Sequence, residues 1–99
     1  MTLVREAFSN LGSVLHLEGD LRAPLNDVLR HQVQALLDRG ERSIVLNLAR
    51  VSDLDAAGIG ELARVYNVTL AGDGRLRIVN ATTRVRRILE RVGLFDVLS

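Results

Sequence analysis

The six residues Ser43 to Leu48 (SIVLNL) constrain this chain more than any other stretch. Four of the six, Ile44, Val45, Leu46 and Leu48, are β-branched or aliphatic, and the run is too short to make a buried helix. The run reads as a strand buried on both faces, the kind found in the middle of an α/β sheet. A strand of that type needs neighbouring strands and covering helices, and the rest of the chain supplies both. Ser13 to Glu18 (SVLHLE) alternates apolar Val14, Leu15 and Leu17 with polar His16 and closes at Gly19-Asp20, which predicts a strand. Pro24 suits a first helical position, and Leu25, Val28, Leu29, Val33, Leu36 and Leu37 follow at helical spacing up to Gly40, which predicts a helix over about 24–39. After SIVLNL and a tight connection, Ile59, Leu62, Ala63, Tyr66 and Leu70 mark a second helix over about 57–71, ended by Gly72-Asp73-Gly74. Arg75 to Val79 (RLRIV) is a third strand. Thr82 or Thr83 caps a third helix with Val85, Ile88, Leu89 and Val92 inward, and Gly93 stops it with Leu94 placed to fold back. Residues 1–12 are a candidate for one more strand. Strands alternating with helices imply a sheet that is at least partly parallel.

The chain has 99 residues, enough for one domain with a modest core. Phe8, Tyr66 and Phe95 are its three aromatic residues, so that core must be aliphatic. A formal net charge of +1 is not the footprint of a nucleic-acid binder, and the scarcity of aromatics argues against base stacking. There is no cysteine, which removes disulfides, thiol catalysis and Cys-type zinc sites. No apolar run approaches the ~18 residues of a membrane span. The amino-terminal MTLVREAFSN is no signal peptide, so the expectation is a cytoplasmic protein without membrane insertion.

Nothing in the sequence points to catalysis. His16 and His31 lack metal-ligand spacing. Gly58-Ile59-Gly60 and Gly72-Asp73-Gly74 make neither a dinucleotide fingerprint nor a P-loop. No Ser–His–acid set is apparent. The expectation is a non-enzymatic chain with no cofactor and no metal. Arg84, Arg87 and Arg91, with Arg86 beside them, share a helical face that reads first as a solvated surface and second as a phosphate- or acid-binding stripe. Asp55-Ala56-Ala57-Gly58 sits at a helix start, where unpaired N–H groups and the dipole favour negative charge. Two readings stand side by side: Asp55 only caps and Gly58 only permits close packing, or this corner is exposed and meets a partner.

The stretches IVLNLARVSDLDAAGIGEL and GRLRIVNATTRVRRILERVGLFDVL together resemble the STAS domain family, which is named for sulphate transporters and anti-sigma-factor antagonists. The likeness is carried by the buried strand ending in Asn-Leu, by Val-Ser-x-x-Asp-x-x-Gly-x-Gly, and by the GRL strand with the RVRRILERVGL helix. It spans about residues 13–98. The resemblance implies one α/β domain over 1–99 with a mixed sheet and helices on one side. It also implies a docking module, often for a kinase-like anti-sigma factor: the unphosphorylated antagonist captures that factor and frees a sigma factor. In the family a serine or threonine after the characteristic aspartate takes phosphate and breaks the complex.

This sequence departs from that pattern. The aspartate is Asp55, and the next two positions are Ala56 and Ala57, so the hydroxyl is missing. Ser52 is the nearest hydroxyl; it reads first as a loop serine bonding backbone and second as a substitute phosphosite. Where many members read Gly-Glu-Leu-Asp, this chain reads Gly19-Asp20-Leu21-Arg22, and it stops at Ser99, ahead of a further strand and helix found in longer members. The resemblance places loop 20–22 beside the helix after Asp55. One reading of that loop is a polar turn. The other makes Leu21 and Leu54 the apolar anchors of a docking patch rimmed by Arg22 and Asp53, with Asp55, Ala56, Ala57 and Gly58 at the contact and Asp20, Ile59, Glu61 and Arg64 flanking it. The leading expectation is an antagonist-like binding module not switched by phosphorylation at Ala56. One alternative, implied by the resemblance, is an accessory subunit of a lipid-transport ATPase complex; the other is a scaffold subunit of a larger signalling assembly built by self-association, for which the third-strand region leaves room for a homodimer.

Overall fold

The computed structural model describes residues 3–9, 12–23 and 27–99. Its elements run β1 (Leu3–Ser9), β2 (Gly12–Glu18), α1 (Val28–Asp38), β3 (Ser43–Arg50), α2 (Ala56–Ala71), β4 (Arg75–Val79), α3 (Thr83–Arg91) and α4 (Phe95–Leu98). The strands form one sheet in the order β1-β2-β3-β4. β1 is antiparallel to β2, with Val4 opposite Leu17 and Glu6 opposite Leu15. β2, β3 and β4 are parallel, with Leu15, Leu46 and Ile78 in one cross-sheet row. The expected extra strand is therefore present at Leu3–Ser9, and the sheet is mixed.

The helices share one face of this sheet. Leu15 and Leu17 of β2, Ile44, Leu46 and Leu48 of β3, and Leu76 and Ile78 of β4 all point there. They meet Leu29, Val33, Leu36 and Leu37 of α1, Leu62 and Val65 of α2, Val85 and Leu89 of α3 and Leu98 of α4 in a single aliphatic cluster. The expectation that β3 is buried on both faces is corrected. On its far face only Val45 is buried, in register between Val14 and Arg77, while Asn47 is half-buried and Ala49 exposed. An apolar run says that a strand lies inside a sheet. It does not say that both faces carry helices.

Helix ends follow from local chemistry. Thr82, not Thr83, caps α3, its hydroxyl accepting from the Val85 amide at 3.3 Å. At the other end Gly93 takes φ 76°, the Gly93 amide bonds the Glu90 carbonyl and the Leu94 amide bonds the Leu89 carbonyl. This doubly bonded reversal is the reason a glycine stands there. It turns the chain into α4, a short helix the sequence pattern did not announce, and buries Leu98 completely. Arg86 lies over the Phe95 ring at 4.8 Å. The first helix begins at Val28, after Asp27 in a left-handed conformation, and the Pro24 start lies outside the described residues. Among the described residues no helix is long and apolar enough to cross a membrane.

Candidate functional site

Parallel strands side by side place the loops after their carboxyl ends together. Here loop 19–23 after β2, loop 51–55 after β3 and the turn before α3 meet at one edge of the molecule. The first two are laced by backbone: the Gly19 amide donates to the Arg50 carbonyl and the Leu21 amide to the Asp53 carbonyl, each at 3.0 Å. Leu21 and Leu54 form an isolated parallel bridge, and the Asp55 amide donates to the Leu21 carbonyl at 3.3 Å.

Asp55 joins both loops to α2. Its Oδ1 accepts from the Gly58 amide at 2.9 Å, which caps the helix, and its Oδ2 accepts from the Ala23 amide at 3.0 Å, which pins the other loop. Both oxygens face N–H donors, an arrangement that suits an ionised carboxylate and no other side chain of that size. The Ala23 amide first, then the Gly58 amide, with Arg22 nearby, hold its carboxyl below the ordinary carboxylate range. Gly58 sits against the same loop so closely that a Cβ there would lie 2.0 Å from the Leu21 carbonyl oxygen. Gly60, two residues on, has nothing within 4 Å of an added Cβ.

Around this hub the charges pair. Asp53 receives Arg84 Nε at 3.1 Å and Nη2 at 3.4 Å, and Arg22 Nη1 stands 3.7 Å away. The Arg84 hydrogen bonds lower the Asp53 carboxyl, and Asp53 raises the Arg84 guanidinium in turn. Ser52 donates its hydroxyl to the Asp20 carboxylate. Ala56 is exposed at the first turn of α2, with Ala57 and Ile59 half-buried beside it and Arg64 exposed two turns on.

With this geometry in place, residues 4–99 of the chain match the model of a known family, described as "STAS domain". The chain belongs to the STAS domain family. Solved structures agree in fold. An anti-sigma factor antagonist from Mycobacterium paratuberculosis superposes with a TM-score of 0.82 at 19% identity, covering 99% of this chain and 83% of that one. The anti-sigma factor antagonist SpoIIAA in its unphosphorylated form gives 0.68 at 20% identity, covering 89% and 82%. The Bacillus cell fate determinant SpoIIAA in its phosphorylated form gives 0.69 at 21% identity, covering 93% and 85%.

Within this STAS domain the residues singled out from sequence divide by burial. Asp20, Arg22, Asp53, Asp55, Ala56, Ala57, Ile59 and Arg64 retain surface at the loop edge. Leu21, Leu54 and Gly58 do not: Leu21 is 2% and Leu54 5% exposed, and both belong to the core cluster. The expectation of exposed apolar anchors at Leu21 and Leu54 is therefore corrected. The bridge between the loops turns both side chains inward. Glu61 is also buried, at 2%, with Arg64 Nη1 3.4 Å from its carboxylate, so its side chain presents no surface at the edge. Arg84 is the residue the sequence reading missed. It read as one member of a solvated stripe, and its tie to Asp53 crosses 31 positions. The neighbouring β3 and β4 bring the two loops together, a relation visible once strand order is known.

Proposed function

We propose that this STAS domain is a non-enzymatic docking module of the anti-sigma-factor-antagonist kind, acting in the cytoplasm on a kinase-like anti-sigma factor. Its contact edge comprises Asp20, Arg22, Asp53, Asp55, Ala56, Ala57, Ile59 and Arg64. The observation that carries the reading is the exposed Ala56 at the first turn of α2, on a helix start fixed rigidly by Asp55. A small methyl side chain there lets a partner surface approach closely, and the corner is held in one geometry before binding, which lowers the ordering cost of association. The position lacks the hydroxyl that would take phosphate, so ATP does not release the partner through it. Ser52 is no ready substitute, because its hydroxyl is engaged by Asp20.

The test pairs the native chain with Ala56→Ser. Each is immobilised and exposed to lysate of the source organism with and without ATP, and captured proteins are identified by mass spectrometry. The expected result is a kinase-like anti-sigma factor held by the native chain in both conditions and shed by Ala56→Ser when ATP is present. Capture of a transport ATPase instead would move the module to an accessory-subunit role, and capture only of itself to a self-assembling scaffold.

A further inference from the structure

We propose that the uncovered face of the sheet carries a second site, a hollow beside Arg5, His16 and Arg50 that binds a phosphate group. The hollow has a volume of about 360 Å³ and is lined by these three residues together with Val4, Leu17, Glu18, Asn47 and Ala49. It lies on the face of the sheet opposite the helices, at the carboxyl ends of parallel β2 and β3. Ligands of open α/β sheets gather beyond those ends.

The hollow is built by a register shift. His16 pairs with Asn47 but Glu18 pairs with Arg50, so Leu17 of β2 faces two residues of β3, Leu48 and Ala49. A bulge of this kind re-aims side chains and interrupts pairing. Here the freed Ala49 amide turns to the Asn47 side chain and donates to its Oδ1 at 3.0 Å, and the Asn80 amide group adds a 3.4 Å contact to the same oxygen. That fixes which end of the Asn47 amide is oxygen. Its Nδ2 therefore faces His16 Nδ1, 3.0 Å away, as the donor. The neutral imidazole must then carry its proton on Nε2, so the ring offers a hydrogen-bond donor rather than an acceptor.

Two guanidinium groups complete the lining. Arg5 is exposed and has no ion pair among the described residues. Arg50 stands 3.9 Å from Glu18, with both side chains more than half exposed (73% and 52%), a loose pair that an incoming anion can displace. Two forked cations and an imidazole donor against one carboxylate select an oxyanion, and forked donors match phosphate geometry. The volume exceeds a bare phosphate and falls at the low end of the roughly 300–1,000 Å³ of small-molecule pockets. There is space for a compact organic body on the phosphate.

The test is an amide-detected NMR titration of the whole chain with inorganic phosphate and, separately, with adenosine monophosphate. Saturable shifts at Arg5, His16, Ala49 and Arg50 with either probe are the expected result. Tighter binding of the nucleotide identifies an organic phosphate, and equal affinity identifies the free ion. The Arg5→Gln/Arg50→Gln pair weakens binding about tenfold or more, while Arg75→Gln/Arg77→Gln, exposed arginines on the same face, leaves it unchanged. The spectra themselves report whether each variant is folded. Absence of saturable shifts with both probes up to about 10 mM, a range in which even weak sites fill, overturns the proposal. Equal loss in the control pair also overturns it, because binding would then be diffuse attraction to a basic face.

Discussion

Gly58→Ala and Gly60→Ala are the same chemical change two residues apart on one helix, and their effects should have opposite signs. At Gly58 the new methyl would stand 2.0 Å from the Leu21 carbonyl oxygen and 3.1 Å from the Leu54 Cβ. Relief requires the two to separate by about 1 Å or more, since carbon contacts are comfortable only near 3.5 Å. The obstacle is backbone, not the tip of a flexible side chain. That carbonyl also accepts the Asp55 amide, so its displacement loosens a hydrogen bond as well. Overpacking costs about 1–3 kcal/mol and a weakened hydrogen bond about 1 kcal/mol. Better helix propensity returns about 1 kcal/mol. The net loss is about 1–3 kcal/mol, or at least ~4 °C in Tm for a domain of this size. At Gly60 the methyl meets nothing within 4 Å, so only the propensity and unfolded-state gains remain, about 0.5–1 kcal/mol of stabilisation. Urea unfolding of both variants, with m unchanged, reads the difference directly. A Gly58→Ala protein as stable as the parent would refute the close approach of α2 to loop 19–23.

Four further outcomes are expected. Ala56→Glu adds bulk and charge at the proposed contact and should weaken partner capture without changing the free energy of unfolding in urea by more than about 0.5 kcal/mol; unchanged capture would remove this corner from the interface. Leu98→Ala should cost about 2–5 kcal/mol in urea unfolding, because Leu98 is fully buried and closes the core below α4. Ser13→Ala should be neutral or stabilising by up to about 1 kcal/mol, since the Ser13 hydroxyl is buried with no partner among the described residues; a loss beyond that would mean the hydroxyl is satisfied. The folded protein holds the Asp55 and Asp53 carboxyls below the ordinary value of 3.8. The unfolded chain therefore takes up these protons first, and the stability they add is complete above that value and drains away as pH falls through the folded pKa. Asp55→Asn should flatten the acid side of a stability profile measured from about pH 6 down to pH 3; an unchanged slope would show that Asp55 does not carry it.

Much of the fold was legible because short-range chemistry dictated it. The apolar spacing of Val28 to Leu37 and of Ile59 to Leu70, and the glycines at 40 and 93, mark helices and their ends without reference to anything distant. The β3 run marked an inner strand equally well. Its second face was misread, because Val45 looks the same in sequence whether a helix or register neighbours cover it. Leu21 and Leu54 were misread for a related reason. A leucine in a polar loop resembles an exposed anchor until a backbone bridge between two loops turns both inward.

The sequence by itself determined the helix and strand alternation, the aliphatic core, the aspartate cap of α2 and the missing hydroxyl at Ala56. Each depends on a residue and its immediate neighbours. The tertiary structure alone decided that Gly58 must be glycine, that Arg84 pairs with Asp53, that Glu61 is buried, and that a bulge orients His16 through Asn47. Each of these joins segments whose distance along the chain carries no information about their distance in space. Strand order sets that distance, and strand order is a property of the whole sheet.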